Sequence, residues 1–351
     1  MEYPEPEISE RFDVAPRVAW RLYHDSRMPE LIGAFNLCYS LLAFAETGML
    51  QRLCQKGSLQ KAELAEGVDD HFGPHLVRYL VIKGVLEESG DGNVRLSPWG
   101  VSLAQETAQA QLTFYVKAYG PVVSRLPGLL AGQARYGVDV HRDGGALGAA
   151  CADLFRVYHD PIVLEALDTM NATKVLDIGC GAGQFLLDAC ARDPRLLGVG
   201  LDISTDAIAI AKREVERLGL DDRLQFVVGD AFAPDSWPEP CKDADVLFGV
   251  GVLHEYFREG EDAVVGILNR FAAQQRAGQL KGFILGEPEL LYDDADNDAD
   301  LYLVHIFTLQ GFPRRRELWL RLFERSDMKC VRLWRRAGAG PRFAFYQLTP
   351  R

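Results

Sequence analysis

The chain has 351 residues, 38 lysines and arginines against 50 aspartates and glutamates, and a formal net charge of −12. That length exceeds one ordinary core and fits two domains, with apolar residues enough to bury both. An acidic balance of this size repels polyanions, so neither a nucleic-acid partner nor an anionic membrane surface is expected, and a small-molecule substrate is.

Seven cysteines (Cys38, Cys54, Cys151, Cys180, Cys190, Cys241 and Cys330) form no CxxC pair and no zinc-knuckle spacing. They read as reduced and structural. The N-terminus, MEYPEPEISERFD, is acidic and proline-bearing, unlike a secretory signal. No apolar run is read as approaching the roughly 20 residues of a membrane span, so a cytoplasmic protein is expected.

From Leu31 to about Thr107 the pattern is helical. Within it, a helix Leu76 to Lys83 is expected to stop at Gly84, followed by a strand Val85 to Glu88, a turn at Gly90-Asp91-Gly92 and a returning strand Val94 to Leu96. This resembles a winged helix-turn-helix, for which DNA binding and a dimerisation and lid module are the two readings. The absence of a dense lysine and arginine face favours the second. Residues 1–107 are therefore read as a winged-helix dimerisation domain and 108–171 as a helical linker or lid, interrupted by the glycine-rich stretch AGQARYGVDVHRDGGALGAA.

From Ala172 short apolar runs alternate with amphipathic helices, the pattern of βαβ units on a parallel sheet. The expected strands are KVLDIG, LLGVGLD, LQFVVGD, ADVLFGVG and GFILGE, with MKCVRLWRR and RFAFYQLTP as a terminal hairpin around AGAGP. The fold class is thus α/β: a Rossmann-like domain over 172–351 with parallel strands and a C-terminal antiparallel hairpin, preceded by a mainly helical domain. The run YDDADNDAD at 292–300 reads as an acidic loop.

In VLDIGCGAGQF the first strand ends at Ile178, and Gly179, Gly181 and Gly183 let the backbone turn tightly and approach a ligand before a helix opens at Gln184. The GxGxG spacing behind Asp177 differs from the GxGxxG of a pyrophosphate loop and suits the carboxypropyl end of S-adenosylmethionine. Asp202, about 20 residues further on at the next strand tip, is placed to accept from ribose hydroxyls. Asp230 ends the third strand, where it can accept from an adenine amino group while Ala231 and Phe232 pack beside the ring. In this order these residues resemble the class I S-adenosylmethionine-dependent methyltransferases, over about 172–351. The preceding winged helix resembles the N-terminal part of small-molecule O-methyltransferases and of 2-oxo acid C-methyltransferases.

The resemblance implies a homodimer and an acceptor site at GVGVLHEYF. There His254 matches the general base of the small-molecule O-methyltransferases, and an imidazole has the ordinary pKa for that work. O-methyltransferases usually carry a GGKERT-like segment where this chain has LQGFPRRRE. The run LYLVHIFTLQ and the following helix with Trp319 and Phe323 look more like the 2-oxo acid C-methyltransferases. In those, two histidines hold a metal, often iron, which chelates the 2-oxo acid; the matching residues are His254 and His305. A Lewis acid on the ketone oxygen would stabilise the carbanion at C3. Glu255 and Glu287 are candidates for orienting an imidazole or removing the C3 proton, and Arg142 or Arg135 for holding a substrate carboxylate. The leading expectation is a metal-assisted C3-methyltransferase of a 2-oxo acid in specialised biosynthesis. The alternative is a metal-independent O-methyltransferase with His254 as base.

Overall fold

The computed structural model describes residues 9–277, 281–289, 299–311, 315–335 and 343–351. The chain forms two compact units, Met1–Ala108 and Gln109–Arg351. The helical stretch after 108, read from sequence as a linker or lid, falls inside the second unit.

The first unit opens with α1 (Val14–Asp25), α2 (Met28–Glu46) and α3 (Met49–Lys56). The short strand β1 (Ser58–Gln60), the turn α4 (Lys61–Leu64), α5 (Phe72–Ile82), the wing strands β2 (Leu86–Glu88) and β3 (Asn93–Leu96), and α6 (Pro98–Leu103) follow. The wing is a three-stranded antiparallel sheet in the order β1-β3-β2, one strand more than the sequence pattern indicates. Three residues are too few to show alternation. Leu41, Phe44, Met49, Leu53, Leu64, Val77, Leu80 and Val94 fill its core.

α2 corrects one expectation. It runs 19 residues with a mean hydropathy of 1.3, long and apolar enough by length and composition to cross a membrane, its only charged residues being Glu30 and Glu46 near its ends. Of its side chains, Leu41 and Phe44 are buried, while Leu31, Ile32, Phe35 and Tyr39 are exposed. α1 buries none of its residues and exposes Val14, Val18, Trp20 and Leu22.

The second unit begins in α7 (Glu106–Leu112), a π-helical turn over Thr113–Ala118, and the short helices α8 (Gly120–Val123) and α9 (Leu126–Leu130). α10 (Gly144–Tyr158) starts inside the stretch read as a glycine-rich break, because the Asp143 side chain caps it by accepting from the Ala146 amide at 2.9 Å. α11 (Asp160–Thr169) leads into the sheet.

Three βα steps and one strand followed by 3₁₀ turns come next: β4 (Lys174–Ile178) and α12 (Gln184–Arg192), β5 (Leu197–Asp202) and α13 (Thr205–Leu218), β6 (Leu224–Val228) with its turns, then β7 (Val246–Val250) and α14 (Glu261–Ala277). β8 (Gly282–Pro288), α15 (Ala299–Phe307), α16 (Arg316–Arg325), β9 (Met328–Arg335) and β10 (Phe343–Pro350) complete the chain. The seven strands lie in the order β6-β5-β4-β7-β8-β10-β9. The first five are parallel and the last two antiparallel, as the sequence indicates. The turn AGAGP and most of the acidic run at 292–300 lie outside the described residues.

Alternation along the strands builds a core on each face. Val175 packs with Leu186, Phe226 and Phe248, whereas Leu176 and Ile178 pack with Leu247, Phe271 and Phe283. α16 buries Trp319, Leu322 and Phe323 on the second face, each contributing about 2–3 kcal/mol. Reversal of the strand order beside β4 opens a crevice at the carboxyl ends of β4, β5 and β7, where ligands of open α/β sheets bind.

Candidate functional site

The loop after β4 occupies that crevice. Gly179, Gly181 and Gly183 all have positive φ, at 72°, 55° and 78°. Two of them also have no room for a side chain: a Cβ on Gly183 would lie 2.3 Å from the Phe226 ring, and one on Gly179 would lie 2.5 Å from Val252 Cγ2. Gly181 differs, since a Cβ there would meet nothing within 4 Å. The loop is thus clamped at both ends and open in its middle, a backbone cradle for a ligand.

Asp202 closes the cradle. Its carboxylate accepts from the Gly181 amide at 2.9 Å and from the Ser204 amide at 2.8 Å, tying the tip of β5 to the loop. Asp177 lies beneath, 4% exposed, and burial together with the neighbouring Asp202 charge raises its pKa well above the carboxylate range. Its place is therefore under the loop as support, while Asp202 lies at the edge.

Beyond β6, Asp230 is exposed and accepts from the Phe232 amide at 2.8 Å. Its own carbonyl accepts from Trp237 Nε1 at 2.9 Å, and Arg270 Nη2 donates to the Phe232 carbonyl at 3.0 Å, so the segment carrying Ala231 and Phe232 is held from both sides. The Phe232 ring stacks on Tyr256 with centroids 4.5 Å apart. Tyr256 belongs to the 3₁₀ turn Leu253–Glu259, which also carries His254.

His254 is 5% exposed and Glu287 is fully buried. Glu287 Oε1 accepts from the Leu253 amide at 2.8 Å, and Oε2 lies 2.8 Å from His254 Nδ1. A carboxylate only accepts, so His254 donates from Nδ1 and keeps a lone pair on Nε2. Of the two acids that sequence left open, Glu287 meets the imidazole. Glu255 instead faces Arg142, whose Nη2 lies 3.9 Å from its carboxylate.

His305, also 5% exposed, stands opposite with ring centroids 5.5 Å apart. Its Nδ1 donates to the Leu301 carbonyl at 2.7 Å. Burial, with the neighbouring His254 adding to it, lowers its pKa to about 4, so it is neutral near pH 7 and likewise carries its lone pair on Nε2.

Tyr119 and Gln310 are residues the sequence did not single out. The Tyr119 hydroxyl accepts from Arg142 Nη1 and from Gln310 Nε2, both at 3.4 Å, and burial pushes its pKa up to about 12. Tyr119 directly follows the π-helical turn, an irregularity frequent at functional sites. Arg135, the other candidate arginine, is exposed on the surface.

Among the described residues no group of three or more histidines, cysteines or acids is arranged to hold a metal. Among the described residues His254 and His305 are a pair without a third ligand: both Glu287 oxygens accept hydrogen bonds, and Glu255 faces Arg142 across 3.9 Å. The residues present fall short of a metal centre built by the protein, so the expected iron has no support here beyond those two imidazoles.

Residues 170–276 match the model of a family described as a methyltransferase domain. A protein named Methyltransferase ungE′ from Aspergillus campestris is 35% identical over 140 residues, 39% of this chain and 41% of that one. The chain spans less than half the length of the curated relatives it matches. The mitomycin 7-O-methyltransferase MmcR superposes with a TM-score of 0.66 at 21% identity, covering 95% of this chain and 100% of that one. Human N-acetylserotonin methyltransferase, solved in complex with SAM, gives a TM-score of 0.66 at 18% identity, covering 97% and 99%. Likeness at this identity shows the fold, a class I methyltransferase sheet preceded by a helical region.

Proposed function

We propose that the chain is an S-adenosylmethionine-dependent O-methyltransferase acting on a small hydroxylated acceptor. The observation that carries this reading is the buried His254–Glu287 pair, joined to the glycine loop through the contact of Val252 with Gly179. Bound at the loop, S-adenosylmethionine supplies a methyl group already activated by its sulfonium. Gly181 and Asp202 hold its polar ends, and Phe232 and Asp230 lie where an adenine would rest.

His254 Nε2 takes the proton of the acceptor hydroxyl as the new O–CH3 bond forms and the C–S bond breaks. Glu287 stabilises the resulting imidazolium through Nδ1, so the charge is not left unpaired in a buried place. Positioning supplies much of the remaining rate. The named O-methyltransferases among the structural neighbours support the same acceptor atom. The 2-oxo acid C-methylation expected from the sequence keeps one supporting observation, the facing His254 and His305 rings.

The test is transfer of labelled methyl from S-adenosylmethionine to a panel of phenols and 2-oxo acids, with and without chelator. Chelator-insensitive methylation of hydroxyls, lost in His254→Ala, is expected. Chelator-sensitive methylation of 2-oxo acids alone overturns the reading. The exposed apolar faces of α1 and α2 support a homodimer as part of the same proposal. Sedimentation of a monomer at micromolar concentration would count against it.

A further inference from the structure

The turn Leu253–Glu259, which carries His254, is gripped on two sides. On one, Glu287 takes the Leu253 amide and the His254 imidazole. On the other, a closed ring of contacts returns to the turn through three more segments of the chain. Gly311 packs so tightly against the turn that a Cβ on it would overlap the His254 carbonyl oxygen and lie 2.9 Å from Glu255 Cα. Its neighbour Gln310 donates to the Tyr119 hydroxyl at 3.4 Å, and Arg142 Nη1 donates to the same oxygen at 3.4 Å. Arg142 Nη2 then lies 3.9 Å from the carboxylate of Glu255, the residue after the base.

The ring has rigid mounts. The Asp143 amide donates to the Ala118 carbonyl at 2.9 Å, tying the backbone after Arg142 to the end of the π-helical turn just before Tyr119, while the Asp143 side chain caps α10. Tyr119 is buried. At the third mount Leu309 holds φ at 52°, a left-handed conformation that a β-carbon disfavours and that persists where surrounding contacts over-determine it. That bend precedes the two residues that meet Tyr119 and the turn. The softest link is the ion pair, since Arg142 and Glu255 are 26% and 34% exposed and stand beyond hydrogen-bond distance.

We propose that Arg142 is a positioning residue for the base: by holding the Glu255 carboxylate it keeps the His254 turn seated on Glu287, without touching the acceptor. This role differs from the carboxylate clamp that the sequence suggests for the same arginine. The inference rests on the reading of His254 as the base and deepens it, adding a charge that acts through the backbone of the turn.

The protein is loaded with S-adenosylhomocysteine, its histidines are isotope-labelled, and the hydrogen-bonded Nδ1 proton of His254 is followed by NMR, assigned by its loss in His254→Gln. Its exchange with solvent should quicken about tenfold in Arg142→Leu and in Glu255→Gln, and no further in the double variant, because each removes the same interaction. Arg142→Lys keeps the charge and should stay within about threefold of wild type, as should the exchanged pair Arg142→Glu with Glu255→Arg. In methyl transfer to catechol and to phenylpyruvate, Arg142→Leu and Glu255→Gln should each lower kcat about tenfold with acceptor KM within about threefold.

An unchanged Nδ1 signal in folded Arg142→Leu or in the isosteric Glu255→Gln overturns the inference, as do losses that add in the double variant. A rise in acceptor KM in Arg142→Leu with Glu255→Gln silent returns the arginine to direct contact with the acceptor and equally overturns it. A histidine signal that follows the pair, in a protein that methylates phenylpyruvate alone, supports the tether and counts against the O-methyltransferase reading.

Discussion

Glu287 receives the His254 imidazole on one carboxylate oxygen and the amide just before it on the other, each at 2.8 Å. One buried group therefore fixes both the backbone that carries the base and the ring itself, leaving Nε2 as the free edge.

Replacing Glu287 with Gln keeps the shape and exchanges one accepting oxygen for a donor that faces either the Leu253 amide or His254 Nδ1. Methyl transfer is expected to fall about 10- to 1,000-fold, and in His254→Ala about 100- to 10,000-fold, as for loss of a general base. Cofactor affinity measured by calorimetry should stay within about threefold of wild type in both, because the hydrogen bonds of this pair run to each other and to the Leu253 amide rather than to the loop. A weakened cofactor with unchanged turnover would refute the assignment of this pair to the acceptor.

Gly181 and Gly183 separate binding from stability. Alanine at Gly183 drives a Cβ to 2.3 Å from Phe226 at φ 78°, and should destabilise the fold by more than about 2 kcal/mol in urea unfolding. Alanine at Gly181 meets open space and carries only the backbone cost of φ 55°, about 1–2 kcal/mol, while its methyl group enters the cradle. Cofactor affinity is then expected to drop by at least about tenfold with a smaller stability loss. Equal effects of the two substitutions on both quantities would contradict a clamped loop with an open centre.

Purified protein dialysed against EDTA should retain its methyl transfer to hydroxyls. Two imidazoles with no third ligand among the described residues do not amount to a protein-built centre, so added ferrous, zinc or magnesium ions are expected to change the rate by less than about twofold. A stoichiometric metal whose removal stops turnover would restore the role given to His254 and His305 by the sequence resemblance.

Asp160 lies in the first turn of α11, 3% exposed, with Oδ1 lacking a hydrogen bond among the described residues. Burial, with the Asp188 charge adding to it, raises its pKa from 3.8 to about 6. The folded state then holds this proton more tightly than the unfolded chain. The stabilisation is full below about pH 4 and is lost as pH rises through 6, amounting to about 3 kcal/mol at most. Asp160→Asn should therefore be more stable than wild type at pH 8 and close to it at pH 4.5. A variant that loses stability at pH 8 would show that Arg156 and Arg192 hold the ionised acid in place.

The seven strands were legible because each is a short apolar run bounded by turn residues, and the loop because three glycines at that spacing follow a strand. His254 was legible from its place at the end of β7. Its partner was less so, since Glu255 is adjacent in sequence while Glu287 arrives from the neighbouring strand, and 33 residues of separation carry no periodicity. Tyr119 and Gln310 meet across 191 positions, a contact created only by packing of α15 near α8. The start of α10 was hidden because Gly144, Gly145 and Gly148 resemble a linker, and the Asp143 cap with tertiary packing outweighs their poor helix propensity.

Gly311 approaches the turn that carries the base so closely that a Cβ would lie 1.9 Å from the His254 carbonyl oxygen. Any larger residue there would push that turn away from Glu287. Divergence in acceptor choice is thereby channelled. Descendants of this chain can exchange His305 or Gln310 one side chain at a time, but the backbone passing His254 must remain glycine, so new specificities would arise by repainting the pocket wall while its frame is inherited unchanged.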